Sequence, residues 1–174
     1  MFVTKRIGPR SKDLEKIRQL YTESFPENER FSFSMMIKNQ SGHYETFGFY
    51  KDGSFCGFAI FLNSKDISHI IYFATLPQLR GQGLGAKALS ALGRIKKGNR
   101  IIVDIERELP DAEDNEIRAR RKNFYLRNGY EETEIRYRWQ NESYEILSFG
   151  GAVSGKDFDD FWKSLGIKKN ATDE

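Results

Sequence analysis

The chain has 174 residues, 39% of them hydrophobic and 30% charged, with a formal net charge of +3; it is long enough for one well-cored domain and too short for two ordinary ones. That composition excludes a disordered chain, and so small a charge gives no electrostatic case for a nucleic-acid partner by itself. A single cysteine, Cys56, excludes an internal disulfide and a Cys-rich metal site, while two histidines without an HExxH arrangement give no dedicated metal centre.

Cysteine usage, an N-terminus MFVTKRIGPR without a signal-like apolar segment, and the lack of any run long enough to span a bilayer together predict a cytoplasmic protein with no membrane contact. Phe2 to Ile7 reads as a first strand, stopped by Gly8 and Pro9. Ser11 then caps a helix reaching about Ser24, with Leu14, Ile17, Leu20 and Tyr21 on one side. A connection, FPENERFSF, leads to a short helix opening at Ser34, and the Phe and Met residues of this stretch are assigned to the core, or to a substrate lid if they are exposed. Tyr44–Tyr50 and Ser54–Leu62 form a hairpin about Asp52 and Gly53, whose types supply the positive φ of a tight turn. A further turn over Asn63–Asp66 precedes the strand Ile67–Ala74.

Next comes a glycine-rich connection, then a helix over Gly85–Lys97 and a strand over Arg100–Glu106, which together make a βαβ unit inside a mixed sheet. An acidic loop, Leu109–Asn115, leads to a helix over Glu116–Arg127, closed by Asn128 and Gly129. Tyr130–Trp139 and Ser143–Phe149 pair about Gln140, Asn141 and Glu142. After the hinge Gly150–Gly151, a last helix opens at Ser154 with Asp157 in capping-box position and carries Phe158, Phe161, Trp162 and Leu165 as its apolar stripe. Asn170–Glu174 is assigned to a frayed tail.

The chemistry concentrates in Ile70–Ala86, IIYFATLPQLRGQGLGA. Glycines at 81, 83 and 85 leave room for a bulky anion close to the backbone, and a helix opening just after them aims unpaired N–H groups at the same point. The stretch is therefore a candidate pyrophosphate cradle. Gly81, Gly83 and Ala86 match the dinucleotide pattern G-x-G-x-x-A, with Glu106 near the distance of a ribose-binding acid. Against that Rossmann-like alternative, Thr75–Arg80 separate the glycines from their strand and no second βαβ half follows. A P-loop fails sooner, since no Gly-Lys-Ser/Thr closes the turn.

Read as Arg80, Gly83 and Gly85, the same stretch is R-x-x-G-x-G and resembles the acetyl-CoA loop of the GCN5-related N-acetyltransferase (GNAT) family. The order of elements agrees with that family, and FYLRNGY, Phe124–Tyr130, resembles its fourth helix and the turn that follows. The resemblance covers Met1 to about Phe149. It implies an α/β fold with a mixed, mostly antiparallel sheet, a central βαβ acetyl-CoA-binding unit and helices on both faces. It also implies residues 1–149 as the transferase domain; 150–174 lies outside the resemblance and is read, from the apolar stripe of its helix, as a helix and tail packed on the same domain. The implied reaction moves an acetyl group from acetyl-CoA to a primary amine of a small molecule or peptide by direct attack.

On this resemblance Gln78, Leu79, Arg80, Gly81, Gln82, Gly83, Leu84, Gly85 and Ala86 hold the pyrophosphate, while main chain at Phe73, Ala74 and Thr75 meets the pantetheine arm. Tyr125 matches the tyrosine that protonates the departing sulfur. Many members carry Asn and Ala two turns and one turn before that tyrosine; here Arg118 and Arg121 stand there, so the pantetheine contact passes to Asn115 or Asn123. Arg118, Arg120, Arg121 and Lys122 are offered to the CoA phosphates.

Alternation along Ile101–Glu106 puts Ile102, Asp104 and Glu106 on one face. An amine of ordinary pKa near 10.4 must lose a proton before it attacks, so Glu106 is the first candidate base and Asp104 the second, ahead of Glu27 and Glu29. The basic helix is also the best support for an RNA-binding alternative, but base-stacking aromatics are not interleaved with it. The last helix is left three roles: cover for the sheet edge, a wall of the acceptor site, or a homodimer contact.

Overall fold

The computed structural model describes residues 1–166; the tail expected over Asn170–Glu174 lies outside the described residues. Seven strands, β1 to β7 along the chain at Phe2–Ile7, Tyr44–Lys51, Ser54–Ser64, Ile67–Thr75, Arg100–Glu106, Glu131–Trp139 and Glu142–Phe149, follow the order β1-β2-β3-β4-β5-β7-β6. Contacts divide the chain into two compact units, Met1–Asn63 with Ile70–Ile95, and Ser64–His69 with the chain from Lys96 onward.

The first unit holds β1 (Phe2–Ile7), β2 (Tyr44–Lys51), β3 (Ser54–Ser64) and β4 (Ile67–Thr75) from Ile70 on. β1 pairs antiparallel with β2 from Phe2↔Lys51 to Ile7↔Thr46, and β2 with β3 from Tyr44↔Leu62 to Lys51↔Ser54. The β2–β3 turn is the predicted one, with Asp52 at φ 49° and Gly53 at φ 81°. Helix α1 (Leu14–Ser24) opens later than Ser11 predicts. Ser11 Oγ instead accepts from Asp13 N–H at 3.2 Å in the turn before it, and Asp13 occupies the N-cap while its carboxylate accepts from Tyr50 Oη at 2.8 Å. Helix α2 (Phe33–Lys38) is capped by Ser32, not opened at Ser34; Phe33 and Met36 are buried in the core and Met35 is exposed. Helix α3 (Leu84–Ile95) buries Leu84, Ala88, Leu89, Ala91 and Leu92, and stops before Lys96 and Lys97.

The second unit holds β5 (Arg100–Glu106), β6 (Glu131–Trp139), β7 (Glu142–Phe149), α4 (Asn115–Arg127) and α5 (Gly155–Ser164). β7 lies between β5 and β6, antiparallel to both, so Ile101 faces Phe149 and Glu106 faces Tyr144. The two helices cover opposite faces. On one, Tyr125 of α4 packs on Tyr130 at 5.3 Å and Tyr130 on Phe149 at 5.3 Å, the side carrying Ile101, Val103 and Ile105. On the other, Phe158 of α5 stacks on Tyr137 at 5.8 Å, while Phe161 and Trp162 meet His69 at 5.9 and 5.6 Å. Helix α5 has the full predicted capping box, Asp157 N–H to Ser154 Oγ at 3.1 Å and Ser154 N–H to the Asp157 carboxylate at 3.0 Å. Each of its three buried aromatics contributes about 2 kcal/mol of apolar burial.

Candidate functional site

In the first unit the site is built where β4 runs out. Leu76 N–H donates to Cys56 O at 2.9 Å, and a single 3-10 turn, Pro77–Leu79, carries the chain away from the sheet to Arg80. Gly81 and Gly83 then take φ of 78° and 75°, and a Cβ on either would meet nothing within 4 Å. The backbone demands glycine there, and the space beside it is open. The ladder of α3 begins with Lys87 N–H to Gly83 O at 3.2 Å. The amides of Leu84, Gly85 and Ala86 therefore precede any intrahelical acceptor, and Gly83 at the cap has no side-chain oxygen to take them. Those amides and the positive end of the helix converge beside the exposed Arg80, an arrangement that suits a pyrophosphate.

Phe73, Ala74 and Thr75 are the last three residues of β4, alternating half-buried, buried and half-buried. Their position is fixed by a neighbour on β3, Gly57. A Cβ at Gly57 would stand 2.5 Å from Ala74 O and 3.1 Å from Thr75 Cα, so only glycine lets β3 approach β4 this closely. An isolated glycine inside the run Phe55–Phe61 was the available signal.

In the second unit Tyr125 is buried, 6% exposed, with Phe124 and Tyr130 each 5.3 Å away. Burial pushes its phenol above the usual value, Arg121 pulls the other way and Asp104 adds to the rise. It is therefore a phenol that holds its proton at neutral pH. Asp104 projects to the opposite face: its carboxylate receives the Tyr137 hydroxyl and lies 3.2 Å from His69 Nε2, beneath α5. Glu106 ends the same strand with Arg118 at 3.6 Å and Arg121 at 3.9 Å.

Arg118 is buried at 7% exposure and is the hub of an ionic cluster. It grips Glu142 at 2.8 and 3.0 Å, Asp114 at 2.9 Å and Arg107 O at 3.0 Å, and the Glu142 carboxylate above all raises its affinity for the proton. Asn115 Oδ1 accepts from Leu109 N–H at 2.6 Å, whereas Asn123 is exposed. Arg118 and Asn115 thus pin the β5–α4 connection, an ion-pair role that spacing alone does not reveal. Among the described residues no group of three or more His, Cys, Asp or Glu is placed to hold a metal ion, and no helix is long and apolar enough to cross a membrane.

The family model described as "Acetyltransferase (GNAT) domain" matches residues 37–132, more than half of the chain and a segment that takes in both the glycine turn and Phe124–Tyr130. Solved structures show the same architecture. One is a protein from Bacteroides thetaiotaomicron described as an acetyltransferase of that family, with 23% identity, 94% of this chain and 95% of that one covered, and a TM-score of 0.78. Another is the ribosomal-protein-S18-alanine N-acetyltransferase of Escherichia coli, with 20% identity, 90% and 98% covered, and a TM-score of 0.64. A third is the PaiA N-acetyltransferase of Thermoplasma acidophilum in complex with coenzyme A, with 14% identity, 86% and 98% covered, and a TM-score of 0.59. At these identities the likeness speaks to the fold. No curated protein sequence matches the chain.

Proposed function

Since the chain belongs to the GNAT acetyltransferase family, we propose that it transfers the acetyl group of acetyl-CoA to a primary amine of a small molecule or peptide, by direct attack and without a covalent enzyme intermediate. The observation that carries this reading is the cap of α3: Gly83, with no side chain to occupy the amides of Leu84, Gly85 and Ala86, beside an open turn at Gly81. Acetyl-CoA supplies a thioester whose carbonyl the amine attacks and whose thiolate departs.

In this proposal the main chain from Gln78 to Ala86 holds the pyrophosphate, with Arg80 adding charge. Main-chain groups of Phe73, Ala74 and Thr75 align the pantetheine arm. Tyr125 donates the proton that the thiolate needs, which its raised pKa allows. Glu106 receives the amine proton, directly or through water. Asp104, engaged with Tyr137 and His69 on the α5 face, is the less available of the two carboxylates. Arg118 and Asn115 serve by fixing the connection from which α4 brings Tyr125 into place, and exposed Asn123 remains open to the cofactor. Residues 1–149 carry the reaction, with α5 as a cover.

The test is a thermal-shift comparison of acetyl-CoA, CoA, NAD and a short RNA, followed by thiol release with a polyamine, a lysine-bearing peptide and a peptide with an N-terminal alanine. Ligand at a hundred times its Kd stabilises by about 2.7 kcal/mol, which is several degrees of Tm at this chain length. Acetyl-CoA and CoA are expected to give that shift. Stabilisation by NAD and not by CoA would overturn the reading in favour of a dinucleotide protein.

A further inference from the structure

The connection between α1 and α2 is charged and largely exposed, PENER over residues 26–30, and a segment of this kind ordinarily rides loosely on a surface. Here it is held at three points by two buried phenols. Phe31 N–H donates to Tyr72 Oη at 2.8 Å, Tyr72 Oη donates to Glu29 O at 2.8 Å, and Tyr21 Oη donates to Phe31 O at 2.6 Å. Both polar groups of the Phe31 residue are thus taken by tyrosine. The rings reinforce the clamp: Tyr21 and Phe25 meet Tyr72 edge-on, with centroids 4.8 and 4.9 Å away.

Packing alone does not require this chemistry. A phenylalanine at 72 would make the same ring contacts, whereas the Tyr72 hydroxyl both accepts from and donates to the connection's main chain. Fixing several backbone residues costs conformational entropy, and the return is a pre-shaped surface. Its location gives that surface a use. Tyr72 immediately precedes Phe73, the first of the three residues to which the pantetheine arm is assigned, so the clamp holds main chain within one side-chain length of the strand that would carry the thioester. An amine must reach the thioester carbonyl to react.

Resting on the acetyl-transfer reading above, we infer that Tyr72, with Tyr21 behind it, is a positioning residue for the acceptor: by fixing the main chain from Glu29 to Phe31 it sets the wall along which the amine approaches. Neither phenol takes part in bond making.

Tyr72→Phe and, separately, Tyr21→Phe test this with the three amine probes above. In Tyr72→Phe, which loses both hydrogen bonds of the hydroxyl, the acceptor KM is expected to rise about tenfold. Its kcat at saturating amine and its Kd for acetyl-CoA should stay within about twofold, and Tyr21→Phe should move the same way. A purely structural role would lower Tm and leave the acceptor KM where it was, and that result overturns the proposal. An equal loss of acetyl-CoA affinity also overturns it, because the damage would then lie in β4 itself. A wild-type protein that binds acetyl-CoA but releases no thiol with any of the amines instead overturns the acetyl-transfer reading, and the acceptor role falls with it.

Discussion

Tyr125 keeps its proton because three aromatic neighbours in sequence and space, Phe124, Tyr130 and through it Phe149, exclude water from its ring. A group meant to protonate a thiolate at neutral pH needs that property, and burial provides it at the expense of easy ionisation. Tyr125→Phe removes the proton and keeps the ring. It is expected to lower kcat about a hundredfold while acetyl-CoA binding, measured by calorimetry, does not change. Since the phenol's pKa lies above the usual value near 10, no alkaline fall in kcat below about pH 10 should belong to it. A fall between pH 8 and 9 that vanishes in the variant would contradict this assignment. The candidate was legible in FYLRNGY, a local string that also carries two of its walls, Phe124 and Tyr130; the closing of that pocket by Phe149 of β7, behind Tyr130, was not. Arg118 illustrates the same limit. In sequence it is one of five basic residues on a helix, and only the approach of Glu142 from β7 and Asp114 from the loop makes it an internal ion-pair hub.

Among the elements, β4 and the turn after it depend on how closely β3 can approach. A Cβ at Gly57 would press on Ala74 O at 2.5 Å, and backbone has no rotamer with which to give way. Gly57→Ala is expected to cost about 2 kcal/mol, in the range of overpacked cores. By shifting Ala74 to Leu76 it should also weaken acetyl-CoA binding, read as a loss of the ligand-induced rise in Tm. Wild-type melting together with a wild-type ligand shift would dismiss the idea that this contact sets the end of β4. Local chemistry made most elements legible: Asp52-Gly53 fixed the first hairpin, Ser154 and Asp157 fixed the start of α5, and β5 ran over the predicted Arg100–Glu106. Where an element starts elsewhere than its local residues predict, a competing local bond explains the difference. Ser11 closed a turn and Asp13 took the cap, with its carboxylate drawn to Tyr50 across 37 residues of sequence. The insertion of β7 between β5 and β6 is a long-range pairing that no local pattern encodes.

At the scale of the molecule, charge pairing sets the pH range over which the fold survives. Arg100 beside Asp66, Arg118 beside Glu142 and Lys122 beside Glu132 hold those carboxyls below their usual range, and the Tyr50 hydroxyl does the same for Asp13. For Asp157 the largest cause is the Ser154 N–H of its own capping box, followed by Arg100. Carboxyls of this kind bind protons more weakly in the folded chain than in the unfolded one. The stability they contribute is therefore complete above the unfolded value near 4 and is lost as pH falls through the folded values. The buried phenols act at the other end. Burial raises Tyr21, Tyr44, Tyr125 and Tyr130, and burial with the Asp13 carboxylate raises Tyr50, so stability is complete below about pH 10 and declines above it, as unfolding frees phenols that ionise more readily. Tm followed at constant ionic strength should fall below about pH 4 and again above about pH 10. Added salt should lower Tm little at neutral pH, because the largest cluster centres on an Arg118 that solvent hardly reaches, whereas exposed pairs such as Lys156 with Asp160 are worth little to begin with. A Tm that climbs steadily from pH 5 down to pH 3 would show that these carboxylates are held against their preference, and would reverse the sign assigned to every pair named here.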